Sequence, residues 1–297
     1  MLIRLAENFR AVFYAPFYAT EALGFYAAEG VELQLLDSPA PGTAIAGMVS
    51  GDIDVTWAGP MRVIKDRTEH PLSDTSLACF CEVVTRDPFF LLARADAPAF
   101  ELKDLLHLRV GSVSEVATPW LCLQQDLRDA GIVPDAIDRV TNQSMQANLE
   151  ALRAGTLDVI QVFEPYVSMA IAAGFGRIVH AASGRGPTCY TSLIATRDGV
   201  ERNRAAFRAA IRATARMQAW LTAHDAAELA AVATPYFPHV APELLRSSLQ
   251  RYAAAGIWSA DPGISRAGFA RLAQSILSGG FVRSLVPYEA CVAELEP

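Results

Sequence analysis

Cys79-Phe80-Cys81-Glu82 sets two thiols on one side of an extended apolar run, with a carboxylate next in line. A thiol beside a general base is the minimum for nucleophilic chemistry, and a pair of thiols suits a soft metal. The run stands alone, however. Structural zinc sites take about four ligands at set spacings, no second cysteine pair follows, and of the five histidines (His70, His107, His180, His224, His239) only His70 is near. A strand cysteine can equally be a small core residue. The chain carries no glycine-rich phosphate loop and no nucleophile elbow. Chemistry here reduces to Cys81 as nucleophile with Glu82 as base, or to none.

A second set of polar and aromatic residues gathers where strand-like runs give way to helix starts. Four such corners carry proline near the first helical position: ENFRAVFYAP (7–16), TWAGP (56–60), VSEVATP (113–119) and VFEP (162–165). Proline fits a helix start because the missing N–H has no partner there anyway. The free N–H groups and partial positive charge of such a start favour an anionic or acceptor-rich ligand. Thr118 reads as the N-cap before Pro119. The corners hold Phe9, Phe13, Tyr14, Phe17, Trp57, Trp120, Phe163 and Tyr166, which suit a flat ring or serve as core. Trp57 is the principal ring platform expected, since Ala58 and Gly59 beside it leave room. Charged groups at the corners are Arg10, Arg62, Glu82, Glu115 and Glu164. Arg10 grips a carboxylate or sulfonate through its planar fork, or is a surface residue. Glu164, just before Pro165, caps its helix or accepts from a ligand amine or amide.

The elements that must position these corners occur twice. GMVSGDIDVTWAGP (47–60) and ALRAGTLDVIQVFEP (151–165) share an order: helix end, Gly, two residues, Asp-Val, apolar run, Pro. Gly51 and Gly155 read as the left-handed residues that close a helix. Strand signals at 3–6, 31–35, 55–57, 77–83 and 89–93 alternate with amphipathic stretches, and the pattern recurs at 108–173. That alternation predicts mainly parallel sheets flanked by helices. After a strand at 191–195 the chain reads as helical from Val200 to Leu277, with breaks at 235–238 and 261–263. Two segments, 86–98 and 184–198, read as crossings between lobes. The expected division is residues 1–92 with 190–297 as one lobe and 93–189 as an inserted lobe, hinged near 90–94 and 187–193. In such folds the ligand lies in the cleft at the carboxyl ends of the strands.

Composition narrows the function classes. The 297 residues are 52% hydrophobic and 19% charged, enough for a sizeable core. A net charge of −7, with only two lysines (Lys65 and Lys103), argues against nucleic acid. No apolar run approaches the roughly 18 residues of a membrane span. Met1 leads straight into LIRLAEN with no recognisable leader, so the chain as it stands reads as cytoplasmic, or as periplasmic if a native leader has been removed. An odd count of five cysteines indicates no disulfide framework.

FYAPFYATEALGFYAAEGVELQL, GDIDV with its Gly/Pro corner, DPFFLLAR and AGTLDVIQVFEPY together resemble the substrate-binding proteins of ABC importers for sulfonates, taurine, nitrate and thiamine pyrimidine precursors. The resemblance covers essentially the whole chain. It implies the type II periplasmic-binding-protein fold: a two-lobed α/β monomer that closes on a small molecule and hands it to a membrane permease. Enzymes resemble it too. The pyrimidine synthase of thiamine biosynthesis holds pyridoxal phosphate with a Lys and a His in the first βα segment, but residues 8–20 here contain neither. An aromatic sulfinate desulfinase has its nucleophilic Cys in that segment, and the first Cys here is Cys79. The expectation is therefore binding without a cofactor or metal, of a small aromatic or heteroaromatic acid or amide. The expected contacts are Asn8, Phe9, Arg10, Phe13, Tyr14, Trp57, Gly59, Cys81, Glu82, Ser114, Thr118 and Glu164. The alternatives are an enzyme using Cys81 and Glu82, and a cytosolic ligand sensor.

Overall fold

The computed structural model describes residues 1–38 and 42–296. Its strands are β1 (Leu2–Ala6), β2 (Glu32–Leu36), β3 (Val55–Ala58), β4 (Leu77–Val84), β5 (Phe90–Arg94), β6 (Val110–Gly111), β7 (Arg139–Val140), β8 (Val159–Val162), β9 (Gly176–Ala181) and β10 (Thr191–Thr196). They form two sheets, ordered β2-β1-β3-β10-β4 and β7-β6-β8-β5-β9. β1 pairs parallel with β2 and β3, and β6 parallel with β7 and β8. β10 runs antiparallel between β3 and β4, as β5 does between β8 and β9. The orders match strand for strand, and in each sheet the reversed strand arrives along the chain from the other lobe. The molecule is a two-lobed α/β protein.

The repeated Asp-Val has a structural reason. Asp54 accepts from the backbone N–H of Arg4 at 2.8 Å and from its guanidinium at 3.0 and 2.7 Å. Asp158 does the same for Arg109, at 2.9, 3.0 and 2.9 Å. In each lobe a bidentate carboxylate thus pins the start of the central strand to its parallel neighbour. Gly51 and Gly155, at φ of 85° and 73°, close the preceding helices as the pattern demands. The duplication is a folding device repeated, not a repeated binding motif.

The helices that shape the site are α1 (Ala15–Ala22), α2 (Met61–Glu69), α3 (Thr118–Asp129), α4 (Met145–Ala154), α5 (Tyr166–Ala172), α6 (Arg204–Ala223), α7 (Pro242–Ala255) and α8 (Arg266–Ser278). Pro16 and Pro119 occupy first turns, whereas Pro60 and Pro165 stand one step earlier, at the N-caps of α2 and α5. Ala117, not Thr118, precedes α3, so Thr118 has no capping role. The chain passes between sheets at 85–89 and 182–190, and β5 belongs whole to the second sheet. The two passages hydrogen-bond to each other, Thr188 N–H to the Thr85 carbonyl at 2.6 Å and Ala182 N–H to that of Phe89 at 3.0 Å. Arg185 joins buried Asp87 at 2.7 Å to Asp126 on α3 at 2.9 Å.

The C-terminal helices do not stay with the first lobe. α7 packs on α5 and on the turn at 12–14, and α8 packs on both α3 and α2. One apolar core accordingly takes in residues of both lobes, from Ile3 and Trp57 to Phe163 and Val167.

Candidate functional site

A cavity of about 280 Å³ opens between the lobes at the carboxyl ends of β1, β3 and β6. The turn after β1 supplies Asn8, Phe9 and Tyr14. The corner after β3 supplies Gly59, Met61 and Arg62, and β10, reversed, begins there with Tyr190 and Thr191. The second lobe contributes Glu115, Val116, Ala117 and Thr118 at the start of α3, and Phe281 follows α8.

Of the contacts expected from sequence, Asn8, Phe9, Tyr14, Gly59 and Thr118 line this cavity. Asn8 holds the chain beyond it by accepting from Gly42 N–H at 3.0 Å. Phe9 meets Tyr14 edge-on at 5.4 Å and lies over Phe163 of the other lobe at 6.3 Å. Burial pushes the Tyr14 phenol up to about 12, against the opposing pull of Asn8, Thr191 and the Arg62 charge. The Tyr14 hydroxyl therefore stays protonated and can donate. The Thr118 hydroxyl lies 3.3 Å from the Met61 sulfur, so the cavity floor is a seam between lobes.

The other expected contacts lie elsewhere, each for a physical reason. Trp57 is 1% exposed; Phe17 stacks on it at 4.6 Å and Tyr18 meets it edge-on at 5.3 Å. It is a core residue of the first lobe, because α1 covers the face on which an aromatic platform was expected. Phe13, also 1% exposed, packs on Phe163, Tyr190 and Tyr252. Arg10 is an exposed residue paired with Glu7 at 3.1 Å and Asp37 at 2.9 Å. Ser114 points its hydroxyl at the Gln143 carbonyl, 2.7 Å away, and does not line the cavity.

Cys81 and Glu82 are both fully buried in β4, beneath α6, and neither touches the cavity. Burial drives the Cys81 thiol up to about 12 and raises the Glu82 carboxyl. Glu82 accepts from Ser265 N–H at 2.8 Å, at the start of α8. A thiol so shielded is not a nucleophile at neutral pH, and all five cysteines are buried and unbridged. The native protein is expected to leave Ellman's reagent unreacted over minutes and to release five equivalents of thiol on denaturation.

Glu164 is buried too, but it serves α7. Its carboxylate accepts from Ser168 N–H at 2.8 Å, Ser248 hydroxyl at 3.1 Å and Arg251 Nε at 2.7 Å, while its own N–H donates to the Tyr252 hydroxyl at 2.9 Å. It clamps the C-terminal region to the second lobe. Glu164→Ala strands Arg251 and two further donors, and is expected to lower the free energy of unfolding by about 3 kcal/mol, read from urea denaturation, with ligand affinity little changed.

Arg62 stands out among the residues that sequence reasoning did not select. It is half-buried, and among the described residues its guanidinium makes no hydrogen bond and no ion pair. Burial pulls its pKa below the ordinary arginine value, with Tyr14 working the other way; the group remains charged. Gly42 makes room for it: a side-chain carbon there would lie 2.5 Å from Nη1. The Thr191 hydroxyl, fully buried in the same wall, makes no hydrogen bond of ordinary geometry, although it lies near enough to the Tyr14 phenol to act on it. Glu115, by contrast, is occupied by Ser114 and by Met145 N–H at 2.9 Å, at the start of α4. The signal for Arg62 was its place two residues past Pro60; nothing local distinguished it from Arg10.

A family model described as NMT1/THI5 like matches residues 12–228. YtlA of Bacillus subtilis (strain 168), provisionally named a binding protein, is 24% identical over 293 residues, 98% of this chain and 87% of that one. Among solved structures, the periplasmic aliphatic sulphonate binding protein SsuA from Escherichia coli superposes with a TM-score of 0.77 at 16% identity, over 98% of this chain and 97% of its own. The desulfurization enzyme DSZB does so at 0.69 and 15%, over 98% and 96%. No described helix is long and apolar enough to cross a membrane. Both structural likenesses speak to the two-lobed fold, and the family match spans most of the chain: this protein belongs to the NMT1/THI5-like family.

Proposed function

We propose that the protein binds a small organic anion in the interlobe cavity, as the solute-binding component of an ABC importer. The observation that carries this reading is the half-buried Arg62 guanidinium, which has no partner among the described residues, at a cavity that both lobes build at their strand ends. Leaving a charge so placed uncompensated is costly unless a ligand of opposite sign occupies the site for part of its working cycle. The Thr191 hydroxyl and the first turn of α3 add donors beside it. Phe9, Tyr14 and Tyr190 offer apolar and ring faces to the rest of the ligand. A carboxylate or sulfonate head on an aromatic or apolar body fits that combination. Likeness in fold to a sulphonate-binding protein supports the transport role, and a membrane permease would be its partner.

The two sheets, each with the helices on it, would then move about the passages at 85–89 and 182–190. The clamps from α7 and α8 keep that motion small. Calorimetric titration with benzenesulfonate and with benzenesulfonamide tests the reading. The charged compound is expected to bind at least ten times more tightly; equal affinity, or preference for the uncharged one, would contradict it.

A further inference from the structure

One residue of the cavity lining comes from a part of the chain that the family match, ending at residue 228, does not reach. Phe281 lines the cavity three residues after α8 ends. Its position is built, not incidental. Phe281 N–H returns to the Ile276 carbonyl at 2.9 Å and Gly280 N–H to that of Leu277 at 3.0 Å, closing α8 with Gly280 at φ of 71°. Val282, 4% exposed, anchors the next step in the core. Gly279 lets this turn sit directly against α3: a side-chain carbon there would lie 2.5 Å from the Leu121 methyl. The Lys65 ammonium, itself paired with Glu69 at 3.2 Å, stands 4.8 Å from the Phe281 ring centre and holds it by a cation–π contact.

We infer that Phe281 is a specificity-determining residue: it reads the body of the ligand whose anionic head Arg62 holds. This rests on the anion-binding reading of the cavity. Arg62 and Phe281 come from different elements, one from the corner after β3 and one from beyond α8, and the Lys65 contact sets the Phe281 ring beside the helix that carries Arg62. A charged head on the first leaves the remainder of the molecule to be sorted by the second. A ring there favours a flat aryl body, because edge-to-face and stacked contacts add to simple apolar burial. One residue of the C-terminal region thus sorts ligands in a cavity that the two lobes otherwise build.

The test compares benzenesulfonate, butanesulfonate and methanesulfonate on wild type, Phe281→Ala and Phe281→Leu by calorimetry. Phe281→Ala is expected to cut the affinity ratio of benzenesulfonate over methanesulfonate by about five- to tenfold. Phe281→Leu, which keeps bulk and loses the ring, is expected to restore butanesulfonate binding but not the aryl preference. An unchanged ratio in both variants overturns the assignment while leaving the Arg62 reading intact. Wild type that binds none of the three overturns the anion-binding reading and this assignment with it.

Discussion

Arg62→Met is expected to weaken binding of an aromatic sulfonate or carboxylate about 100-fold while leaving the fold as stable as before. The loss follows from removing a bidentate, charge-assisted contact in a partly desolvated site, where such contacts are worth more than neutral ones. Retained stability follows from the same geometry read in the other direction. The guanidinium has no partner among the described residues, so its replacement strands no carboxylate, and a linear apolar side chain relieves the desolvation that lowers its pKa. Few binding-site substitutions combine those outcomes. A structural arginine such as Arg185, held by Asp87 and Asp126, behaves oppositely, since removing it leaves two carboxylates uncompensated. Calorimetry for affinity and thermal unfolding for stability separate the cases. A fall in melting temperature of several degrees with affinity retained would assign Arg62 to the scaffold.

Trp57→Ala is expected to have the largest effect on stability. The ring is enclosed by Phe17, Tyr18 and Tyr14, so truncation leaves a large cavity in the first lobe. Losses of about 3–5 kcal/mol accompany such changes, corresponding to a drop in melting temperature of about 5–8 °C for a chain of this size. Ligand affinity of the remaining folded protein should stay within a few-fold of wild type, because the ring lies behind Tyr14 and does not line the cavity. Trp57→Phe should recover most of the stability. The Trp57 indole N–H is buried without a hydrogen-bond partner, so Phe loses volume but no bond. If Trp57→Ala abolished binding in a protein that unfolds at the wild-type temperature, the aromatic-platform expectation would stand and the core assignment would fall.

Architecture was more legible in the sequence than the site. The GxxDV repeat is visible because it is local: a glycine at positive φ and a carboxylate at a strand start lie within four residues of each other. What the repeat does was not legible, because Arg4 and Arg109 lie about fifty residues before their partners and only the parallel pairing brings them together. The corners after β1, β3 and β6 were located correctly as sequence positions, yet each presents several side chains, and the helix that covers a corner decides which of them reaches the cavity. α1 turns Trp57 into core and leaves Tyr14 at the wall. Glu164 and Arg62 looked alike as charges beside a proline. Arg251, arriving from α7 nearly ninety residues on, pairs with the one, and no described residue pairs with the other. Phe281 had no local signal at all; its place depends on α8 lying across both lobes. Cys81 and Glu82 read as chemistry because their types suit it, and only the covering helix shows that nothing can reach them.

The measurement that bears most directly on the whole account is a crystal structure of the protein grown with benzenesulfonate. The sulfonate oxygens are expected within hydrogen-bond distance of the Arg62 guanidinium and the Thr191 hydroxyl, with the ring directed toward Phe281. A ligand bound at another surface, or a cavity occupied with Arg62 turned away to a protein carboxylate, would contradict it.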